Sequence, residues 1–165
     1  MALMIRCMNR EARERGATLL EFAIGATVFF TAMFGVLEFG RALWTHNALS
    51  DAARRAARYA INEPASSPAG KSVTGANVGP SVAAIRNVAV YGNPEGTGQP
   101  LVNNLATDNV NITYSNFGLG DGSVSVTITN YKFQFIVPIV GTSISMPNYN
   151  TTLTGESVGT TPDPL

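Results

Sequence analysis

Charge is scarce in this chain. Only 13% of its 165 residues are charged, eleven basic against eleven acidic, and the formal net charge is zero. A nucleic-acid binder would carry a basic excess gathered on one face, and that excess is missing. There is one cysteine, Cys7, so no internal disulfide forms and no cluster of thiolates is available to a metal. The fold must be held by burial and hydrogen bonds. There is also one histidine, His46, and the sequence has no Ser-His-Asp or Cys-His arrangement, no H-E-x-x-H and no phosphate-binding loop. The run Gly118-Leu119-Gly120-Asp121-Gly122 lacks the lysine of a P-loop and the spaced acids of an EF-hand, and reads as a hairpin turn. The expectation is therefore a protein that is not an enzyme, with no metal, no cofactor and no small-molecule substrate. Proline is absent before Pro64, which leaves a long stretch free to be helical.

What is present begins with an apolar run. Ala17–Leu37 carries a single charge, Glu21, and as a helix it spans about 30 Å, the thickness of a bilayer core. A buried helix of a soluble protein is one alternative, but too little chain lies beyond it to surround it. A cleaved secretory signal is another, but the run is too long, contains a carboxylate and leads to no good A-x-A site. Ahead of it, the first 16 residues hold Arg6, Arg10, Arg13 and Arg15 against Glu11 and Glu14. Arg41 is the only basic residue close behind it, so the leader is expected inside. Arg54, Arg55 and Arg58 would stand well above the membrane.

The helix is expected to continue over 38–62. Ala42, Leu49, Ala53, Ala56 and Ala60 form one stripe at helical spacing, flanked by Phe39, Leu43 and Ala57. Asn47, Asp51, Arg54, Arg55 and Arg58 fall opposite, and Asp51 is placed to pair with Arg55 at i+4. Trp44 sits where an interfacial aromatic anchor belongs. Asn62-Glu63-Pro64 stops the element, giving a spine about 65–70 Å long. Residues 63–80, rich in proline, glycine and serine, read as a loop. Ser81–Tyr91 reads as a short helix with Ser81 as N-cap and Gly92 as the stop, with a strand over 87–91 left open.

Beyond Gln99 the period changes. Val110, Ile112 and Tyr114 alternate with polar residues, as do Val124, Val126 and Ile128. The apolar parity then shifts to Tyr131, Phe133 and Phe135, which requires a bulge or bend near Asn130. Pro138 ends or edges that strand, and Thr142–Met146 and Thr151–Val158 offer further short ones. The fold class is α+β: a long N-terminal helix continuing into a small domain, 81–165, with one short helix and an antiparallel sheet.

Glu21 needs an explanation, because an acid at the centre of a membrane helix costs roughly 2.5–3.5 kcal/mol. It lies in Arg15-Gly16-Ala17-Thr18-Leu19-Leu20-Glu21-Phe22. A cut after Gly16 would leave a positive amine on Ala17 and make Glu21 the fifth residue, with such an amine as its natural partner. Gly, four residues, then Glu-Phe after a short basic leader resembles the processing site of type IVb and Flp-type prepilins. The longer string through residue 60 resembles the TadE-like family of pilin-like proteins from tight-adherence pilus systems. Its matches are Arg15, Gly16, Glu21, Phe22 and Ala23; Phe34, Gly35, Glu38, Phe39, Gly40 and Arg41; and Ala52, Ala53, Arg54, Ala57, Arg58, Tyr59 and Ala60. Arg55 and Ala56 depart from it, standing where that family often has Glu and Gly.

The resemblance implies a cytoplasmic leader, 1–16, removed by a prepilin peptidase between Gly16 and Ala17, with Phe22 in the recognised segment. It implies a helix over 17–62, in the membrane over 17–37, and Glu21 in recruitment or packing of the growing fibre. Glu38, Arg41, Arg54 and Arg58 join Glu21 as candidate assembly residues, and Glu38 and Arg41 are spaced to pair. The implied location is the bacterial inner membrane, N-terminus in the cytoplasm and C-terminal domain in the periplasm, with the pilus or cell surface as a later destination. The implied partners are the lipid bilayer, the peptidase, other pilin-like subunits and the assembly machinery, and no nucleic acid. A non-polymerising accessory scaffold of the same machinery and an unrelated membrane-anchored binding module stay open as alternatives.

Overall fold

The computed structural model describes residues 2–63, 73–117, 122–136 and 142–154, with the backbone alone for 2–15 and for residue 73. Helix α1 runs Ala2–Asn62, and nothing in its backbone marks a boundary at Gly16. The leader is thus helical and continuous with the apolar span. Without proline, and with alanine, leucine and arginine throughout, the intrinsic preference is helical. The glycines at 16, 25, 35 and 40 each cost about 1 kcal/mol relative to alanine. In an apolar medium the chain has no better way to satisfy its backbone than to stay helical. At the far end Asn62 Nδ2 donates to the Arg58 carbonyl at 2.9 Å. Glu63, preceding Pro64, leaves the helix.

The chain divides into two units, 1–41 with 135–142, and 42–134 with 143–165. In the first, α1 is long and apolar enough to cross a membrane, and none of its apolar span is buried in protein. Leu19, Leu20, Phe22, Ile24, Val28, Phe29, Val36 and Leu37 are all exposed. Its hydroxyls are satisfied within the helix: Thr27 donates to the Ala23 carbonyl and Thr31 to the Thr27 carbonyl, both at 2.8 Å. Such back-bonding is how a polar side chain is carried through hydrocarbon.

In the second unit the upper part of α1 buries Thr45, Leu49, Ala52, Ala53, Ala56, Ala57 and Ala60. The buried stripe is wider than the one read from sequence, taking in Thr45 and Ala52. Leu43, expected beside it, is exposed, and in the first unit so is Phe39. The outer face, Asn47, Asp51, Arg54 and Arg58, is exposed as read. Helix α2 spans Val82–Tyr91, which rules out a strand over 87–91, and buries Ile85, Val88, Ala89 and Val90. Ser81 stands at its N-cap with helical dihedrals and makes no side-chain cap bond, contrary to expectation. Gly92 ends it at φ +80, its N–H on the Val88 carbonyl, the left-handed C-cap that glycine adopts at least cost.

One four-stranded antiparallel sheet has the order β1-β2-β3-β6: β1 Val73–Ala76, β2 Val110–Phe117, β3 Ser123–Ile128 and β6 Tyr149–Thr154. Strands β4, Lys132–Gln134, and β5, Ser143–Ser145, pair separately. Opposite residues on β2 and β3 are Val110 with Ile128, Ile112 with Val126 and Tyr114 with Val124. All six are buried, so the parity read from sequence is the core face. The predicted bend is Asn130, left-handed at φ +57, after which Tyr131 and Phe133 turn into the core.

Strand β1 is a correction, because it lies in the segment read as loop. It is short and irregular, with Gly75 at φ +147, and it is held on the edge of β2 by side chains. The Ile112 N–H donates to Asn77 Oδ1 at 2.9 Å and the Asn116 N–H to Thr74 Oγ1 at 3.0 Å. The hairpin tip at 118–121, Pro138 and the stretch 155–158 lie outside the described residues.

Candidate functional site

The segment read as a processing site is a surface of α1. Gly16, Ala17, Glu21 and Phe22 are all helical and exposed, Phe22 at 74%. A Cβ added at Gly16 would meet nothing within 4 Å, so glycine is not needed there for packing. Its consequence is local: it is the weakest helix former between the leader and the apolar run. Ala17 and Glu21 are four residues apart and therefore stacked on one face. Among the described residues Glu21 has no hydrogen-bond or ion-pair partner, and its neighbours Leu19, Leu20 and Phe22 are exposed apolar side chains. The arrangement is an acid on a hydrophobic helix surface, open to a cation brought by something else.

Immediately beyond the apolar run, Glu38 is the opposite case, with only 6% of the residue exposed. Its Oε2 accepts from Arg41 Nη2 at 2.7 Å and Nε at 3.2 Å, so the expected i,i+3 pair forms. Its Oε1 accepts the backbone N–H of Ile136 at 3.1 Å. The second contact could not be read from spacing, since Ile136 is 98 positions away. The only sequence signal was the apolar run that begins at Phe135, taken as the end of a strand. Phe135–Thr142 belongs to the same unit as the helix below Ala42, and the Phe135 N–H bonds to the Thr142 carbonyl at 3.2 Å. Glu38 thus ties a returning loop to α1 at the rim of the apolar surface.

Higher on α1 the charges behave as a solvated face. Asp51 pairs with Arg54 at 3.4 Å, both about two-thirds exposed, and not with Arg55 as expected. Arg55 turns inward, its Nε donating to the Val88 carbonyl at 3.3 Å, and so fastens α2 to α1. Arg86 does the same for β2, donating to the Val110 carbonyl at 3.0 Å. Arg58 is exposed. Arg54 and Arg58 are therefore available to a partner.

His46 Nδ1 lies 2.8 Å from the Tyr149 hydroxyl, with the rings 5.2 Å apart edge to face. Burial holds the Tyr149 phenol above its ordinary value, with a smaller contribution from Tyr131. The pair joins α1 to β6. Among the described residues no group of three or more His, Cys, Asp or Glu could hold a metal ion.

Residues 16–58 match the family model of the TadE-like proteins. No curated protein matches the chain, and no solved structure does. The matched segment starts at Gly16 and covers Glu21, the Glu38–Arg41 pair and the alanine-rich upper helix, ending before the loop and sheet.

Proposed function

We propose that this chain is a pilin-like subunit of a tight-adherence pilus system, held in the bacterial inner membrane by α1 and cleaved after Gly16 by a prepilin peptidase. Its role is structural rather than catalytic: it packs against other pilin-like subunits in pilus biogenesis and surface attachment. The observation that carries the reading is Glu21, an exposed acid on the apolar surface of α1 with no ion-pair partner among the described residues, five positions beyond Gly16. The TadE-like match over 16–58 supports it.

The chemistry of the cut explains the carboxylate. In the intact chain Glu21 sits mid-helix, where the backbone offers it nothing. Cleavage after Gly16 makes Ala17 the first residue and places Glu21 one helical turn in, on the same face as the new N-terminus. The macrodipole fades within the first turn, so the partner that matters for Glu21 is the new amine itself. The new ammonium on Ala17 lies on the same face and reaches Glu21 of its own helix or of a neighbour. One cut thus converts a cost into a site for subunit pairing. The peptide bond is helical in the intact chain, so a peptidase must first unwind it, and Gly16 marks the place where that costs least.

Intact mass and N-terminal sequencing of the protein recovered from its host's membranes test this directly. The mature chain is expected to begin at Ala17, and Gly16→Leu to block the cut. Glu21→Ala should be cleaved yet missing from sheared surface fibres. A chain that still begins at Met1 overturns the proposal. Normal cleavage with no protein in the fibre fraction would make it an accessory scaffold of the machinery.

A further inference from the structure

Beyond the single span, we infer that Phe135 and Ile136 form a second membrane contact, with Ile136 seated among lipid chains at the outer rim of the bilayer that holds α1. The inference rests on the membrane reading of α1.

The first observation is a residue facing the wrong way for a soluble loop. Ile136 is 74% exposed, while its backbone N–H is held by Glu38 at 3.1 Å. An exposed isoleucine at a fixed place differs from one on a loose loop, because its position relative to the helix is set. That position is the end of the apolar run, since Glu38 directly succeeds Leu37. The second observation is continuity. Val36, Leu37 and Phe39, which surround Glu38 along α1, are 72%, 61% and 65% exposed. They lie on the other faces of α1 at that level, so Ile136 adds an apolar side chain at a level where the rest of the helix surface is already apolar and exposed. Trp44, 61% exposed, lies six positions further along the sequence, where an interfacial aromatic residue belongs. The level of Glu38 is then the boundary between acyl chains and headgroups.

The third observation is the chemistry of the tie. A loop entering hydrocarbon must satisfy its backbone within the protein. The Ile136 N–H does so on a carboxylate, and the Phe135 N–H does so on the Thr142 carbonyl. Glu38 tolerates the boundary because its other oxygen is neutralised by Arg41, whose side chain is 32% exposed and long enough to keep its charge toward water. Neither Phe135 nor Ile136 brings a charge. The occupant is thus the lipid of the same leaflet.

The test uses the full chain in phosphatidylethanolamine–phosphatidylglycerol vesicles, in a Cys7→Ser background so that one added cysteine carries an environment-sensitive fluorophore. Ile24→Cys reports on the span, Ile136→Cys on the loop and Thr113→Cys on the exposed face of β2. With the label at 136, emission should be blue-shifted, quenched by doxyl-labelled lipid, and several-fold less accessible to iodide than at 113. Adding Glu38→Ala should return most of that iodide accessibility. If 24 is lipid-quenched while 136 is open to iodide, the loop contact is wrong and the span stands. If 136 is shielded from both quenchers, protein covers it and the lipid assignment is overturned. If 24 is itself open to iodide, the membrane reading fails first.

Discussion

Removing the Glu38 carboxylate should release the loop without unfolding the sheet, and the contacts set the size of the effect. Oε1 holds the Ile136 N–H and Oε2 holds Arg41, and the side chain is 7% exposed. A hydrogen bond to a charged acceptor contributes about 1.5–3 kcal/mol net, and Glu38→Ala also leaves a donor without its partner. The ion pair adds little, about 0.3–0.5 kcal/mol for a pair on one helix with Arg41 a third exposed. Opening of the loop should therefore become easier by about 1.5–3 kcal/mol. If local opening limits exchange, the Ile136 amide should exchange roughly ten- to a hundredfold faster. Glu38→Gln keeps an acceptor oxygen but not the charge, so its effect should fall to about 0.5–1.5 kcal/mol. Hydrogen–deuterium exchange of the full chain in nanodiscs reads this directly. The amides of Val124, Val126 and Ile128 in β3 serve as the reference, being far from Glu38 in sequence and buried. Unchanged exchange at Ile136 in Glu38→Ala would refute the tie. Equal acceleration in β3 would show that Glu38 acts on global stability instead.

The alanine stripe should resist enlargement: Ala56 is fully buried, so Ala56→Leu should cost about 1–3 kcal/mol, whereas Arg58→Ala on the exposed face should cost under about 0.5 kcal/mol, both read by thermal denaturation in detergent. Gly122→Ala would drive a Cβ into the backbone of Phe117 and Asn116, which cannot swing aside, so the β2–β3 pairing should weaken by about 1–3 kcal/mol and Tm should fall. Alkaline pH should also destabilise the domain. Burial raises the Tyr114 and Tyr149 phenols, helped by Glu63 and Tyr131 respectively, so the unfolded chain loses its phenolic protons first. This contribution is complete below the ordinary tyrosine value of about 10 and is lost as pH rises through the folded values. The fall in Tm above that pH should be smaller in Tyr149→Phe, and a flat profile would contradict the burial effect.

Much of the molecule was legible because its signals are periodic or local. The alternation at Val110–Tyr114 and Val124–Ile128 named the core face, since a strand alternates sides strictly. The parity slip after Ile128 announced the bend at Asn130. The Glu38–Arg41 pair came from helical spacing. What escaped depended on distant partners. Strand β1 has four residues, one of them Gly75 in a left-handed conformation, and becomes a strand only because β2 offers it an edge and Asn77 and Thr74 bond across. Arg55 prefers the Val88 carbonyl of α2 to Asp51, a choice that exists only once the two helices meet.

By itself the sequence determined α1 from Ala17 to its end before Pro64, though not its continuation back to Ala2, together with its unburied apolar surface, the lone acid after Gly16 and the two-faced strands. Each comes from backbone geometry and the cost of leaving apolar groups in water or charged groups in oil. The tertiary structure decided which helix residues lie in the core, where the edge strand sits, and that Glu38 is a tie rather than a solvated pair. Those outcomes turn on hydrogen bonds between residues tens of positions apart, whose partners are chosen by the packed chain and by no local pattern.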